Sequence, residues 1–234
     1  MAVLGCYTLD NIYVYDIQED ELNGIRELTT AHELLHAVYA RMSEDDKNKL
    51  APLLEEVYRQ NEDILKADIE TYNEAEVAEE LYVRAGTEIK NLPEVLEKHY
   101  AEIFRDQDAV VDFYEDYIAV FRAVEEKLDV LEMEMAELSS EIDAKTTEYE
   151  RRVGQLEADV VSFNACAKVA GCFKSQAEFD ERRAGLLIEQ EALEGFYAEL
   201  STLINDYNSK VEEYNKNVVE GRRLNGIVNS YKQV

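Results

Sequence analysis

Apolar and aromatic residues recur at steps of three and four from Tyr114 to Phe163, through Tyr117, Phe121, Val124, Leu128, Leu131, Met135, Leu138, Ile142, Tyr149, Leu156 and Val160, with Lys145 as the main exception. A seam held for about seven heptads commits the chain to a long helix whose stripe another helix must cover. A second seam runs through Leu186, Leu193, Tyr197, Leu200, Ile204, Tyr207, Val211, Tyr214 and Val218, broken at Gln190. Two seams joined by a compact connection predict a long antiparallel helical hairpin, tip near residues 161–178, packed on itself. A helix of about 50 residues is roughly 75 Å long. The tail residues Leu224, Ile227, Val228 and Tyr231 keep the helical spacing and are expected to dock on the first half of the chain.

The rest of the composition agrees with a mainly α protein: 32% charged residues, with only 9 Gly and 2 Pro in 234 residues. A net charge of −28 argues against binding nucleic acid or an anionic membrane surface. No apolar run approaches the roughly 20 residues needed to span a bilayer. Met1-Ala2, followed at once by strand-like residues, reads as the cut end of a longer protein, so a membrane anchor outside this chain is allowed for. Cys166 and Cys172 flank a glycine near the tip and are spaced for a local disulfide, which implies an extracytoplasmic location, secreted or anchored. Cys6 is expected to be a buried core thiol.

The chemistry sits in the first half. Ala31-His32-Glu33-Leu34-Leu35-His36-Ala37 is an H-E-x-x-H motif, and two of the chain's three histidines belong to it. Residues i and i+4 share a helix face, so both imidazoles can hold one Zn²⁺ while Glu33 reaches a water on it. That is metallopeptidase chemistry. Leu28, Leu34, Leu35 and Val38 supply an apolar face beside it. Thr29 or Thr30 is expected to cap the helix, and Thr30 with Glu33 fits a capping box.

Around this motif, residues 2–7 and 12–17 alternate as strands of a β-hairpin with its turn at 8–11. Ser43 with Asp46 reads as a helix cap, Pro52 as a residue near a first helical turn, and Gly86 as a helix stop. The expected domains are 1–105 and 106–234. Two histidines do not complete a catalytic zinc site, which usually has three protein ligands and a water.

The chain resembles the gluzincin type of zinc metallopeptidase, whose third ligand is a glutamate on a helix downstream of the H-E-x-x-H helix. The residues that carry the resemblance are Thr30 to Ala37 and the later Ala78-Glu79-Glu80-Leu81-Tyr82-Val83-Arg84-Ala85-Gly86-Thr87-Glu88. It is similar in particular to small bacterial members that join a minimal zincin domain to a helical hairpin. The resemblance implies a small zincin-like α+β domain ahead of the coiled-coil hairpin, with His32, His36 and Glu80 as metal ligands. Glu76, Glu79 and Glu88 remain rivals for the third position, and Glu88 is also a candidate acceptor for a ligating imidazole. Where the family carries an acid four residues after the ligand, this chain has Arg84. Glu33 is the expected general base, with Tyr82, His99 and Tyr100 as candidate oxyanion donors.

Two function classes follow. One is a zinc-dependent peptidase acting on a peptide or protein substrate. The other is a non-catalytic coiled-coil interaction or scaffold protein on a zincin-like base, with self-association through the hairpin open in either case.

Overall fold

The computed structural model describes residues 4–8 and 10–230, without the side chains of Ala75, Asn229 and Ser230. Residues 2 and 3 of the expected first strand, and Tyr231 of the tail, lie outside the described residues. The protein is mainly helical, with one two-stranded antiparallel sheet and seven helices among the described residues.

Strands β1 (Gly5–Thr8) and β2 (Asn11–Val14) pair with Gly5 opposite Val14 and Thr8 opposite Asn11, so both are shorter than the alternation suggested. Asp10 in the connection takes a positive φ of 68°. The Tyr15 N–H bonds to the Leu4 carbonyl at 2.9 Å, and in this register Gly5 and Tyr7 turn their backbone groups away from β2. Cys6 is exposed rather than buried, because Gly5 takes the face against the next helix and side chains alternate along a strand.

Helix α1 (Ile25–Arg41) begins at Gly24, whose φ of 91° needs glycine and whose absent Cβ leaves room for the Phe113 ring. Neither Thr29 nor Thr30 caps it. Each instead donates its hydroxyl back to the carbonyl four residues earlier, at 2.7 Å, which corrects the capping expectation. α2 (Glu44–Gln60) is capped by Ser43, which accepts from the Asp46 N–H at 3.2 Å, and Pro52 lies inside it rather than in its first turn. α3 (Glu62–Ile69), α4 (Glu74–Glu88) and α5 (Glu94–Ala101) follow.

Gly86 does not stop α4. It lies inside the helix, where a Cβ would meet Leu35 Cδ1 and Tyr100 Cε1 at 2.6 Å, so glycine is there for close helix packing. Leu35, Leu54, Leu65, Val83 and Leu96 belong to one apolar cluster, while Leu4, Ile17, Leu22, Ile25 and Leu28 form a second. Val228 completes that second cluster, as expected of the tail.

α6 (Gln107–Ala167) and α7 (Gln176–Ser230) are the two long helices. The chain divides into two compact units, Met1–Glu125 with Glu220–Val234 and Glu126–Val219, so the division falls at neither side of residue 105. Within Glu126–Val219 the long helices run antiparallel: Lys127 pairs with Glu213, Lys145 with Glu199 and Arg152 with Glu189. Both Phe196, stacked at 6.2 Å, and Tyr197, tilted at 5.8 Å, pack on Tyr149, while Tyr197, Ile204 and Val160 keep exposed surface. Cys166 and Cys172 form a disulfide beside a cluster of Phe163, Phe173 and Phe179.

Candidate metal centre

On α1 the residues Ile25, Leu28, Thr29, His32, Glu33 and His36 fall on one face by helical spacing, and all line a cavity of about 310 Å³. From α4 the cavity receives Glu79, Glu80, Arg84, Thr87 and Glu88, again at helical spacing. α1 and α4 run antiparallel along it, since His36 faces Glu80 while His32, one turn earlier, senses the charge of Arg84, one turn later.

Three ligand atoms converge. His36 Nε2 lies 3.3 Å from His32 Nε2 and 3.4 Å from Glu80 Oε1, and one atom from each side chain falls within 4.8 Å of the others. Ligands about 2.0–2.1 Å from a tetrahedral zinc are about 3.3 Å apart, so these spacings fit that ion. Burial, reinforced by His36 and Arg84, lowers the His32 pKa to about 3, which keeps its imidazole neutral and its lone pair free. Burial also raises the Glu80 pKa, against the pull of His36, Arg84 and Tyr72, and its Oε2 has no hydrogen-bond partner. That oxygen lies 3.5 Å from Arg84 Nε, while Oε1 faces His36, so one carboxylate oxygen and two imidazole nitrogens form a donor set that could hold a cation.

The other glutamates have different tasks. Glu79 Oε1 accepts from His36 Nδ1 at 2.8 Å, so it orients the imidazole. Glu88 binds Arg84 Nη1 at 2.8 Å and touches neither histidine, contrary to the expectation that it accepts from an imidazole. Glu76 is exposed and bonds the Asn73 N–H at the helix start. Glu33 is buried against Gly5, and the Tyr7 N–H of β1 donates to its carboxylate. Burial raises the Glu33 pKa, while His36 and that N–H oppose the rise. A Cβ at Gly5 would meet Thr29 Cγ2 at 2.7 Å and Glu33 Cγ at 3.0 Å, so only glycine lets β1 lie this close to Glu33.

Tyr82 and His99 stand elsewhere. The Tyr82 hydroxyl bonds His99 Nε2 at 2.8 Å, Tyr100 donates to the Tyr82 carbonyl at 2.6 Å, and none of the three lines the cavity. Residues two apart on a helix diverge by about 200°, so with Glu80 facing the cavity Tyr82 turns into the apolar cluster. That corrects their assignment as oxyanion donors. Tyr7, Tyr72 and Tyr117 line the cavity, and the one beside Glu80 and Arg84 is Tyr72, in the loop before α4, where no periodicity marked it. Arg84 is fully buried, with Nη1 on Asp68 at 2.9 Å and Nε 3.5 Å from Glu80 Oε2. Burial works against its charge, but Glu88 and Asp68 outweigh it and hold its pKa up.

Compared with known protein families, curated proteins and solved structures, the chain matches none.

Proposed function

We propose that the protein is a zinc-dependent peptidase of gluzincin type, with His32, His36 and Glu80 as ligands and Glu33 as general base. The observation that carries this reading is the convergence of three ligand atoms from two helices, His36 Nε2 lying 3.3 Å from His32 Nε2 and 3.4 Å from Glu80 Oε1 and all three within 4.8 Å, with the motif glutamate beside them. When bound, zinc supplies Lewis acidity toward a water and a peptide carbonyl. Glu33 takes the proton of the attacking water and passes it to the leaving amine; its raised pKa suits a group that holds a proton briefly. Tyr72 is the cavity hydroxyl placed to donate to the developing oxyanion. The Tyr7 N–H is taken by Glu33, but the Gly5 N–H and the Gly5 and Tyr7 carbonyls that turn away from β2 offer an edge for an extended peptide, which supports a peptide substrate.

The local disulfide supports an extracytoplasmic setting. No helix among the described residues is long and apolar enough to cross a membrane.

Elemental mass spectrometry of the purified chain tests the reading. One zinc per chain, lost in both His36→Ala and Glu80→Gln, is the expected result. Zinc lost only in His36→Ala would move the third ligand to another acid. No zinc after incubation with the ion would leave the non-catalytic hairpin protein as the standing reading.

A further inference from the structure

The cavity continues past the ligand group. Two turns from Glu80 along α4, and level with Leu28 of α1, lies Glu88, which is 4% exposed. Its Oε1 is held by Arg84 Nη1 at 2.8 Å, but its Oε2 is buried without a hydrogen-bond partner. Arg84 is shared with Asp68 at 2.9 Å, and its Nε and Nη2 are also buried without a hydrogen-bond partner, so one guanidinium serves both carboxylates and leaves Glu88 Oε2 unmet. Thr87 and Thr29 also line the cavity, and the rest of the wall near Glu88 is apolar. Leu4, Ile25 and Leu28 belong to one cluster, and Tyr117 packs on that cluster while lying close enough to feel the charge of Glu88.

A buried carboxylate oxygen without a partner is costly, and the group that relieves it must donate hydrogen bonds and carry positive charge. To reach it past these walls, the group must also bring an apolar stem. We propose that this end of the cavity is a specificity pocket for a substrate side chain ending in a primary ammonium, as in lysine, with the ammonium donating to Glu88 Oε2 and the alkyl stem along Leu4, Ile25 and Leu28. The depth agrees. Glu80 and Glu88 are eight residues apart, which is about 12 Å along a helix. An extended lysine chain of about 6 Å, its hydrogen bond of about 2.8 Å and the short link to the reacting carbonyl cover that distance. Serine or asparagine is too short, and a carboxylate is repelled.

This inference rests on the peptidase reading, because it places the lysine next to the cleaved bond. The test is isothermal titration of the zinc-loaded Glu33→Gln protein with N-acetyl-Ala-Ala-Lys-Ala-amide and its norleucine counterpart, which differs by lacking the ammonium. Lysine should bind about tenfold or more tighter. In Glu33→Gln/Glu88→Gln the two should come within about twofold, with zinc content and circular dichroism unchanged. Norleucine binding as tightly as lysine, or neither peptide binding, overturns the pocket. So does a lysine preference that survives the Glu88 substitution. If the double variant does not fold, the first comparison decides alone. Zinc content and peptide cleavage by the unsubstituted chain are read separately: cleavage without lysine preference sinks only the pocket, and lysine preference without zinc or cleavage sinks only the peptidase.

Discussion

His36 donates its Nδ1–H to Glu79 Oε1 at 2.8 Å, and this fixes the tautomer that turns the Nε2 lone pair toward His32 and Glu80. Two successive glutamates thus meet one imidazole in different ways: Glu79 orients it through Nδ1, and Glu80 stands 3.4 Å from its Nε2. Successive helix residues diverge by about 100°, so both reach His36 only because α4 crosses α1 at that turn.

Glu79→Gln should therefore keep one zinc per chain at saturation while weakening affinity by roughly 10–100-fold. Competition with a chromophoric chelator measures this, and an unchanged affinity would remove Glu79 from the orienting role.

Glu33→Gln should bind zinc as the unsubstituted chain does and lose peptide hydrolysis by about 10²–10⁴-fold. A variant that retained most of its activity would show that another group handles the proton.

Gly5→Ala should destabilise the fold by about 1–3 kcal/mol, since the new methyl meets Thr29 Cγ2 and the Tyr13 carbonyl at 2.7 and 2.8 Å. Gly154→Ala is the contrast, because nothing lies within 4 Å of its Cβ in the middle of α6, and there a gain of about 0.5–1 kcal/mol is expected. Denaturant melts of the two variants should move in opposite directions.

In the metal-free protein the contribution of His32 to stability should fall as pH drops below about 6.5. His32 is held neutral down to about 3 when folded, so between those values the unfolded chain binds the extra proton. The slope is at most about 1.4 kcal/mol per pH unit. Glu88, pushed up to about 7 by burial, acts in the opposite sense, its contribution falling as pH rises from 4.5 to 7. The difference between the parent chain and His32→Gln isolates the histidine. Parallel pH profiles for the two would show that His32 is not buried as a neutral ring.

Reducing Cys166–Cys172 opens a loop of small sequence separation, so the expected loss is about 2 kcal/mol, local to the unit Glu126–Val219. Hydrogen exchange should rise near residues 163–179, with zinc content unaltered.

Much of the fold was legible because the signals are local. Helical periodicity marked α6 and α7, i and i+4 spacing put His32 and His36 on one face, and Ser43 with Asp46 announced a cap. Errors arose where a residue has two uses. Gly86 reads as a stop but serves helix packing, and Thr29 and Thr30 read as caps but bond back to carbonyls.

By itself the sequence determined the helical character, the pairing of His32 with His36 and the place of Glu33 beside them, because each depends on spacing within one element. Only the tertiary structure decided that Glu80 joins the histidines while Glu79 orients one of them, that Tyr82 and His99 face the core, and that Tyr72, Arg84 and Glu88 share the cavity. Those assignments depend on how α1, α4 and β1 are set against one another, and that follows from close approaches at Gly5 and Gly86 and from the burial of side chains far apart in the chain.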